Sequence, residues 1–486
     1  MTPARTRLAP SPTGYVHIGS LRTALYNYFL ARQSGGKFVI RIEDTDRSRM
    51  VEGSIENLIE VFTPLGLQPD EGPLLVKGKL EYQGEFGPYV QSERLDIYKK
   101  YAQQLIDQGD AYYDFATKEQ LEKVREEKRQ LKQPMKYDRS QAEFDTDKAL
   151  ARIEAGEVAV VRLKVPEGET VFDDAIMGTI KFNNVEVDDQ VLVKSDGFPT
   201  YHLAVVVDDH LMEITHMLRG QEWLSSTPKQ ILLYKMLGWD APIFAHVPLL
   251  LNPDKTKLSK RQGDVAVEDY LRRGYLPEAL INFVSTLGFN PTADREIYSV
   301  EELIELFDLS KVKKSGAVMN MEKLDWMNNQ YIRELTQKDL AKRVVGFVQA
   351  DTESDLVQRA LFVERERVNR LDEFQEKITS YITEPSYDAS VLVWRKADVA
   401  DAVVQLEGIL ALLRDADEKI FSEKEAIEKE IKEYIATNGL SNGNVLWPLR
   451  VSLSGMERSA GPFEYVWALG RDEAVKRIEK ALSLLA

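Results

Sequence analysis

Apolar positions in the first 40 residues follow two different periods. Thr6–Pro10 is a short apolar stretch, and Ser11-Pro-Thr-Gly-Tyr-Val16 is turn chemistry. From His17 to Gln33, Leu21, Leu25 and Phe29 recur at i, i+4 and i+8 with Tyr28 beside them, which is helical spacing. Gly35-Gly36 ends that helix. Lys37-Phe-Val-Ile-Arg-Ile-Glu43 then reads as a buried strand. Strand, helix and strand within about 40 residues predict a βαβ unit and a parallel sheet.

A second α/β block runs from about Gln190 to Leu237. It comprises a strand at Val191–Lys194, a turn at Ser195-Asp-Gly-Phe-Pro199, a short helix at Tyr201–Asp209, a strand at Ile214–Leu218 and a helix at Thr227–Leu237 closed by Gly238. Between the blocks lie a charged helix, Lys118–Lys132, and a stretch rich in β-branched residues, Glu157–Val187. The pattern is one sheet domain interrupted by an α+β insertion. After about residue 337 the texture changes. The last 150 residues hold only 7 Gly and 3 Pro of the chain's 28 and 19, and helical periodicity dominates, as in Ala402–Leu413 and Glu423–Tyr434. This predicts an all-α C-terminal part of two subdomains.

A chain of 486 residues allows about three domains. Cysteine is absent, which excludes a disulfide framework, a thiol nucleophile and any Cys-ligated zinc or iron–sulfur site. No apolar run of 18 residues occurs, and the first residues lack the apolar core of a secretory signal, so the expected location is the cytoplasm. The net charge of −16 speaks against a nucleic-acid partner on its face. Affinity for phosphates is local, however, and one basic face suffices.

Two segments carry phosphate chemistry. His17-Ile-Gly-Ser20 opens a helix directly after a strand and a Pro/Gly loop. A helix N-terminus leaves N–H groups unpaired and carries partial positive charge. Gly19 allows close approach to the backbone, and His17 can donate to a phosphate oxygen. Ordinary capping explains the same residues. Lys257-Leu-Ser-Lys-Arg261 follows the turn-rich Asn252-Pro-Asp-Lys-Thr256, and Lys257, Lys260 and Arg261 can surround a triphosphate. A solvated basic loop is the plainer alternative. No Walker A sequence is present.

Taken together, about 240 residues apart on two halves of a split sheet, the segments resemble the paired ATP-holding elements of class I aminoacyl-tRNA synthetases. The resemblance narrows to the bacterial glutamyl-tRNA synthetases through Arg7-Leu-Ala-Pro-Ser-Pro-Thr-Gly14, Arg41-Ile-Glu-Asp-Thr-Asp46, Asp196-Gly-Phe-Pro-Thr-Tyr-His-Leu-Ala204, Val207-Asp-Asp-His210, Lys323-Leu-Asp-Trp326 and Trp447-Pro-Leu-Arg450. It covers nearly the whole chain. It implies a Rossmann-like parallel-sheet catalytic domain in residues 1–108 and 190–250, split by an acceptor-end-binding insertion at 109–189. Residues 251–336 would carry the basic loop and a stem-contact helical domain, and 337–486 an all-helical anticodon-binding part. Three departures stand out. Ser20 replaces the second His of the class motif, as is usual in the glutamate branch. Val205 stands where relatives often have Asn. Ala111–Thr117, which matches a zinc-binding stretch of some relatives, has no Cys, so no structural zinc is expected.

The resemblance implies activation of L-glutamate by ATP, brought in with Mg2+, and transfer to the terminal adenosine of glutamate tRNA, with glutamine tRNA left open as a second substrate. It implies a monomer. Residue by residue, it assigns Arg7, Ser11, Glu43, Tyr201 and Arg219 to glutamate. It assigns His17, Gly19, Glu222, Trp223, Leu250, Lys257, Ser259, Lys260 and Arg261 to ATP, with His17, Lys257 and Lys260 stabilising the reacting phosphate. Leu249 and Leu250 fit an adenine wall and a core equally well. No protein-bound metal is expected. Asp44 and Asp46 read as braces of the Arg41–Arg47 turn, and His202, His210, His216 and His246 as structural. Rival readings are a glutaminyl-tRNA synthetase, a truncated tRNA-modifying paralogue, a nucleotidylyltransferase and an inactive RNA-binding scaffold. Arg219, the helical C-terminal part, the length and the intact basic loop speak against them in that order.

Overall fold

A computed structural model describes residues 2–132, 136–258, 266–395 and 397–486. The chain forms two compact units. The first comprises the residues up to Tyr270 together with Leu280–Asn320, and the second comprises Leu271–Ala279 and Met321–Ala486.

The first unit is built on a six-stranded sheet in the order Lys37–Ile40, Arg5–Leu8, His216–Gly220, Ile243–Val247, Glu169–Asp174, Gly178–Asn183. All neighbours are parallel except the final hairpin. The helix Ile18–Ser34 links the first two strands. Leu21, Leu25 and Phe29 are fully buried along it, as the spacing predicts, and Gly35 closes it in the left-handed conformation at φ 68°. Tyr26, Asn27 and Ala31 are buried too, so the helix is enclosed nearly all round rather than amphipathic. The strand expected at Ile214–Leu218 lies two residues further on, at His216–Gly220. Arg219 is therefore inside the sheet rather than just past it, and its parallel register partner is His246.

The strands divide across residue 190 differently from the sequence expectation. Glu169–Asp174 and Gly178–Asn183 fall in the stretch expected to be insertion, yet they complete the main sheet. Val191–Val193, expected to open the second catalytic half, belongs instead to a four-stranded antiparallel sheet with Val160–Leu163, Ala111–Asp114 and Ala142–Glu143. Pairing partners far along the chain decide this. Local period cannot. The smaller sheet is braced by buried charge: Arg162 pairs with Asp114, and Asp189 accepts from Arg139 at 2.6 Å and from Tyr112 at 2.9 Å.

The described residues of the second unit form helices and connecting loops, with one isolated bridge between Val345 and Val348. A single apolar cluster runs through it where the sequence suggests two subdomains. It includes Phe374, Leu406, Ile409, Ile431, Leu449, Tyr465 and Ile478, all fully buried. The cluster also takes in Leu276, Ala279 and Ile332, from before the change of texture at 337. Among the described residues no helix is long and apolar enough to cross a membrane.

Candidate active site

The C-terminal ends of the parallel strands and the N-terminus of the first helix open onto one cavity of 480 Å³, where ligands of open α/β sheets bind. Arg7, Ser11, His17, Gly19, Glu43, Tyr201, Arg219, Glu222, Trp223, Leu250 and Lys257 all line it. Eleven positions spread over 250 residues of sequence thus meet around one space. Leu249 lines it as well, so both leucines that fit a core or an adenine wall face the cavity. Ser259, Lys260 and Arg261 lie outside the described residues. The described chain on either side is at the site: Leu258 lines the cavity, and Ala266 is bridged to His17.

His17 caps the first helix. Its Nδ1 accepts from the Gly19 N–H at 2.9 Å, so a neutral ring carries its proton on Nε2. Gly19 owes its place partly to this cap, since a Cβ there would sit 3.3 Å from His17 Nδ1. The first turn contains no acidic residue to offset the helix dipole.

Beneath the cavity lies a buried ionic cluster. Arg7 donates to both carboxylate oxygens of Asp209 at 3.2 Å. Arg41 reaches Asp209 at 2.7 Å and Glu43 at 3.0 Å. Arg94 reaches Asp208 at 2.8 Å, and Tyr98 donates to the same carboxylate at 2.8 Å. Three guanidiniums thus offset three carboxylates out of water. Burial works most strongly against the Arg7 charge, but Asp209, Tyr201 and Glu43 together prevail and raise the pKa. Burial also opposes the Asp209 charge, yet Arg7 and Arg41 prevail and hold its pKa below the ordinary value. For Glu43 burial wins over Arg41 and Arg7, and its pKa rises. Glu43 is the member of the cluster short of positive charge, and it faces the cavity.

Arg219 is held differently. Its Nε donates to His246 Nε2 at 3.0 Å, Nη1 to the Tyr201 hydroxyl at 2.8 Å and Nη2 to Thr227 Oγ1 at 2.9 Å. All three acceptors are neutral in charge. A guanidinium has five N–H donors, so two remain after these bonds, enough for one bidentate carboxylate. Trp223 packs on Tyr201 with ring centres 4.2 Å apart.

The structure adds residues that the sequence does not single out. Arg22 is buried, lines the cavity and donates to the carbonyls of Pro248 and Leu287. Asp208 and Asp209, enclosed on a helix whose other buried residues are all apolar, are the signal that a charge network lies there. His246, expected to be structural, touches Arg219. Val205 points away into the apolar core and does not line the cavity. Asp46 accepts from Ser48 at 2.7 Å within its own turn, whereas Asp44 accepts from the Ser92 backbone at 2.8 Å and so ties the turn to a distant segment. Among the described residues no three His, Asp or Glu side chains cluster as a metal site.

Residues 3–326 match the family described as tRNA synthetases class I (E and Q), catalytic domain, and residues 334–482 match an anticodon binding domain. A glutamate–tRNA ligase of Chloroherpeton thalassium is 45% identical, with 99% of this chain and 98% of that protein aligned. One from Clostridioides difficile is 42% identical over 98% of each. The crystal structure of a glutamate tRNA ligase from Elizabethkingia meningosepticum, in complex with its amino acid, superposes with a TM-score of 0.87 at 34% identity over the whole of both chains.

Proposed function

This chain belongs to the class I tRNA synthetases of the glutamate and glutamine family, and we propose from that premise that it is a glutamate–tRNA ligase. The observation that carries the choice of amino acid is Arg219, a buried guanidinium with two spare donors and, among the described residues, no carboxylate bonded to it. A substrate carboxylate completes that arrangement. An amide would leave the charge uncompensated, and stranding a buried charge is costly. Arg219 and Tyr201 read the side-chain carboxylate, Glu43 holds the ammonium, and Arg7 and Ser11 flank the backbone groups. Glu222, Trp223 and Leu250 receive the ribose and base of ATP, and Gly19 keeps the helix N-terminus open to its phosphates.

In the first step a glutamate α-carboxylate oxygen attacks the α-phosphorus of ATP. The bond to the bridging oxygen breaks, and pyrophosphate leaves with Mg2+. In the second step a hydroxyl of the terminal adenosine of tRNA attacks the acyl carbon, releasing AMP and a proton. Neither step uses a protein nucleophile. Catalysis consists of positioning and charge stabilisation. His17 Nε2–H, the helix N-terminus and Lys257 serve the phosphates; Ser259, Lys260 and Arg261, to which the same role is assigned, lie outside the described residues. The part built on the small antiparallel sheet, Ala111–Leu163 with Val191–Val193, takes the acceptor end and 337–486 the anticodon, and the enzyme works as a cytoplasmic monomer.

ATP–pyrophosphate exchange tests the reading. Exchange that depends on glutamate and not glutamine, followed by charging of glutamate tRNA, is the expected result. Exchange with glutamine at equal efficiency would sink it. Charging assays with both tRNAs decide whether glutamine tRNA is also a substrate.

A further inference from the structure

Arg219 is the last link of a buried chain of hydrogen bonds across three adjacent strands. Asp174, at the end of Glu169–Asp174, accepts from His246 Nδ1 at 2.6 Å. The backbone N–H groups of Ile176, Met177 and His246 also donate to its carboxylate, at 3.0, 2.8 and 3.1 Å, so it is anchored independently of the ring. His246 has no exposure at all. Its Nε2 accepts from Arg219 Nε, which puts the ring proton on Nδ1, toward Asp174. A second ring proton would set an N–H against an N–H. Burial depresses the His246 pKa against the pull of Asp174, and the ring is neutral.

We propose that Asp174 and His246 are positioning residues for amino-acid selection: they fix the Arg219 guanidinium so that its two spare N–H groups meet the side-chain carboxylate, without neutralising it. The proposal rests on the reading of Arg219 given above. Its logic is the contrast with Arg7, whose fork is closed directly by Asp209. A carboxylate bonded to Arg219 would compete with the substrate's own. A neutral imidazole supplies the same direction, and the balancing charge sits one side chain further back. Thr227, 3.2 Å from His246 Nε2, steadies the same junction.

The test uses the full chain and glutamate-dependent pyrophosphate exchange with tRNA present. The variants are H246F, which keeps a ring but no acceptor, H246Q, which offers a neutral acceptor, and D174N. H246F is expected to raise KM for glutamate by 10-fold or more and to shrink the glutamate-over-glutamine preference by a similar factor. KM for ATP should move less than about 2-fold. H246Q should recover most of the loss, and D174N should act like H246F but more weakly. Added to R219A, H246F should have little further effect. Should H246F fail to fold, the D174N and H246Q results decide. The proposal is overturned if preference is unchanged in H246F and D174N while R219A abolishes it. It also falls if all parameters decline together without rescue by H246Q, as a purely structural role would give. An unchanged preference in R219A would instead sink the reading of Arg219 itself.

Discussion

Arg7 and Arg219 both face the cavity, and the groups behind them give them different work. Arg7 closes an ion pair with Asp209 inside a cluster that balances charge, whereas among the described residues Arg219 is bonded only to neutral acceptors. Replacing Arg219 with Ala is therefore expected to cut kcat/KM for glutamate by about 100-fold or more, roughly 3 kcal/mol of lost transition-state binding. The thermal midpoint should move little, because Thr227 stands 3.2 Å from His246 and can satisfy it. Replacing Arg7 leaves Asp209 short of a partner in a dry site. Breaking a buried pair in this way costs about 3–5 kcal/mol, so that variant should lose thermal stability as well as activity. Paired kinetics and melting curves separate the two cases. A third group, half-buried, sets a pH limit. Among the described residues His202 Nδ1 has no hydrogen-bond partner, and burial, with the Lys229 and Arg219 charges adding to it, lowers its pKa to about 3. Above the ordinary value of 6.5 the ring is neutral folded and unfolded, and titration contributes nothing. Below it the unfolded chain takes a proton that the folded chain refuses, so stability falls with pH by up to about 1.4 kcal/mol per unit. A His202→Leu variant lacks this loss. Between pH 7 and pH 5 its thermal midpoint should gain on the wild type, and parallel curves would contradict the assignment.

At the scale of elements, the turn between the first helix and the second strand shows steric and conformational costs side by side. Gly35 adopts φ 68° with nothing within 4 Å of an added Cβ, so Gly35→Ala meets only the left-handed penalty of about 1–2 kcal/mol. At Gly36 a Cβ would lie 2.0 Å from the Ala4 carbonyl oxygen, in backbone that cannot rotate away. That contact would push apart the strands Arg5–Leu8 and Lys37–Ile40, which pair along their whole length and place Arg7. Gly36→Ala should therefore be the more damaging change in both melting temperature and glutamate KM, and equal effects would argue against the steric account. The sequence displays the glycine pair but not the difference between its members. The same boundary of legibility runs through the site. Helical spacing, the Pro/Gly loop and Lys257 at the head of the basic run are local signals, and each marks a piece of the cavity wall within a single short stretch of chain. What stays hidden depends on pairing at a distance. His246 meets Arg219 across 27 residues and Asp174 across 72, through register between parallel strands. A lone His among apolar neighbours carries no sign of that. The hairpin Glu169–Asp174 and Gly178–Asn183 looks like insertion for the same reason, since its partner strand lies about 70 residues further on.

At the scale of the molecule, the chain enters its second unit before the change of texture at 337. Leu271–Ala279 and Met321–Glu334 belong there, although Gly and Pro counts group them with the first part. Composition averages over long windows and misses two short crossings. The consequence is testable by truncation. A chain ending at Glu334 keeps Leu276, Ala279 and Ile332 but loses the cluster that buries them. It also loses the Val368 carbonyl, which accepts from Asn329 at 2.6 Å, and the Leu371 N–H, which donates to Gly274 at 3.1 Å. A fully buried Leu or Ile contributes about 1.5–3 kcal/mol, so exposing such side chains creates a sticky patch. The truncated chain should bind a hydrophobic dye and self-associate in sedimentation. Changing Leu276 and Ile332 to polar residues in the truncated chain should restore a monomer. Exchange activity that survives in that repaired chain should no longer distinguish glutamate tRNA from anticodon variants. A truncated chain that stays monomeric and dye-free without repair would show that these residues do not need the helical unit. Retained anticodon discrimination would place that reading in the first unit.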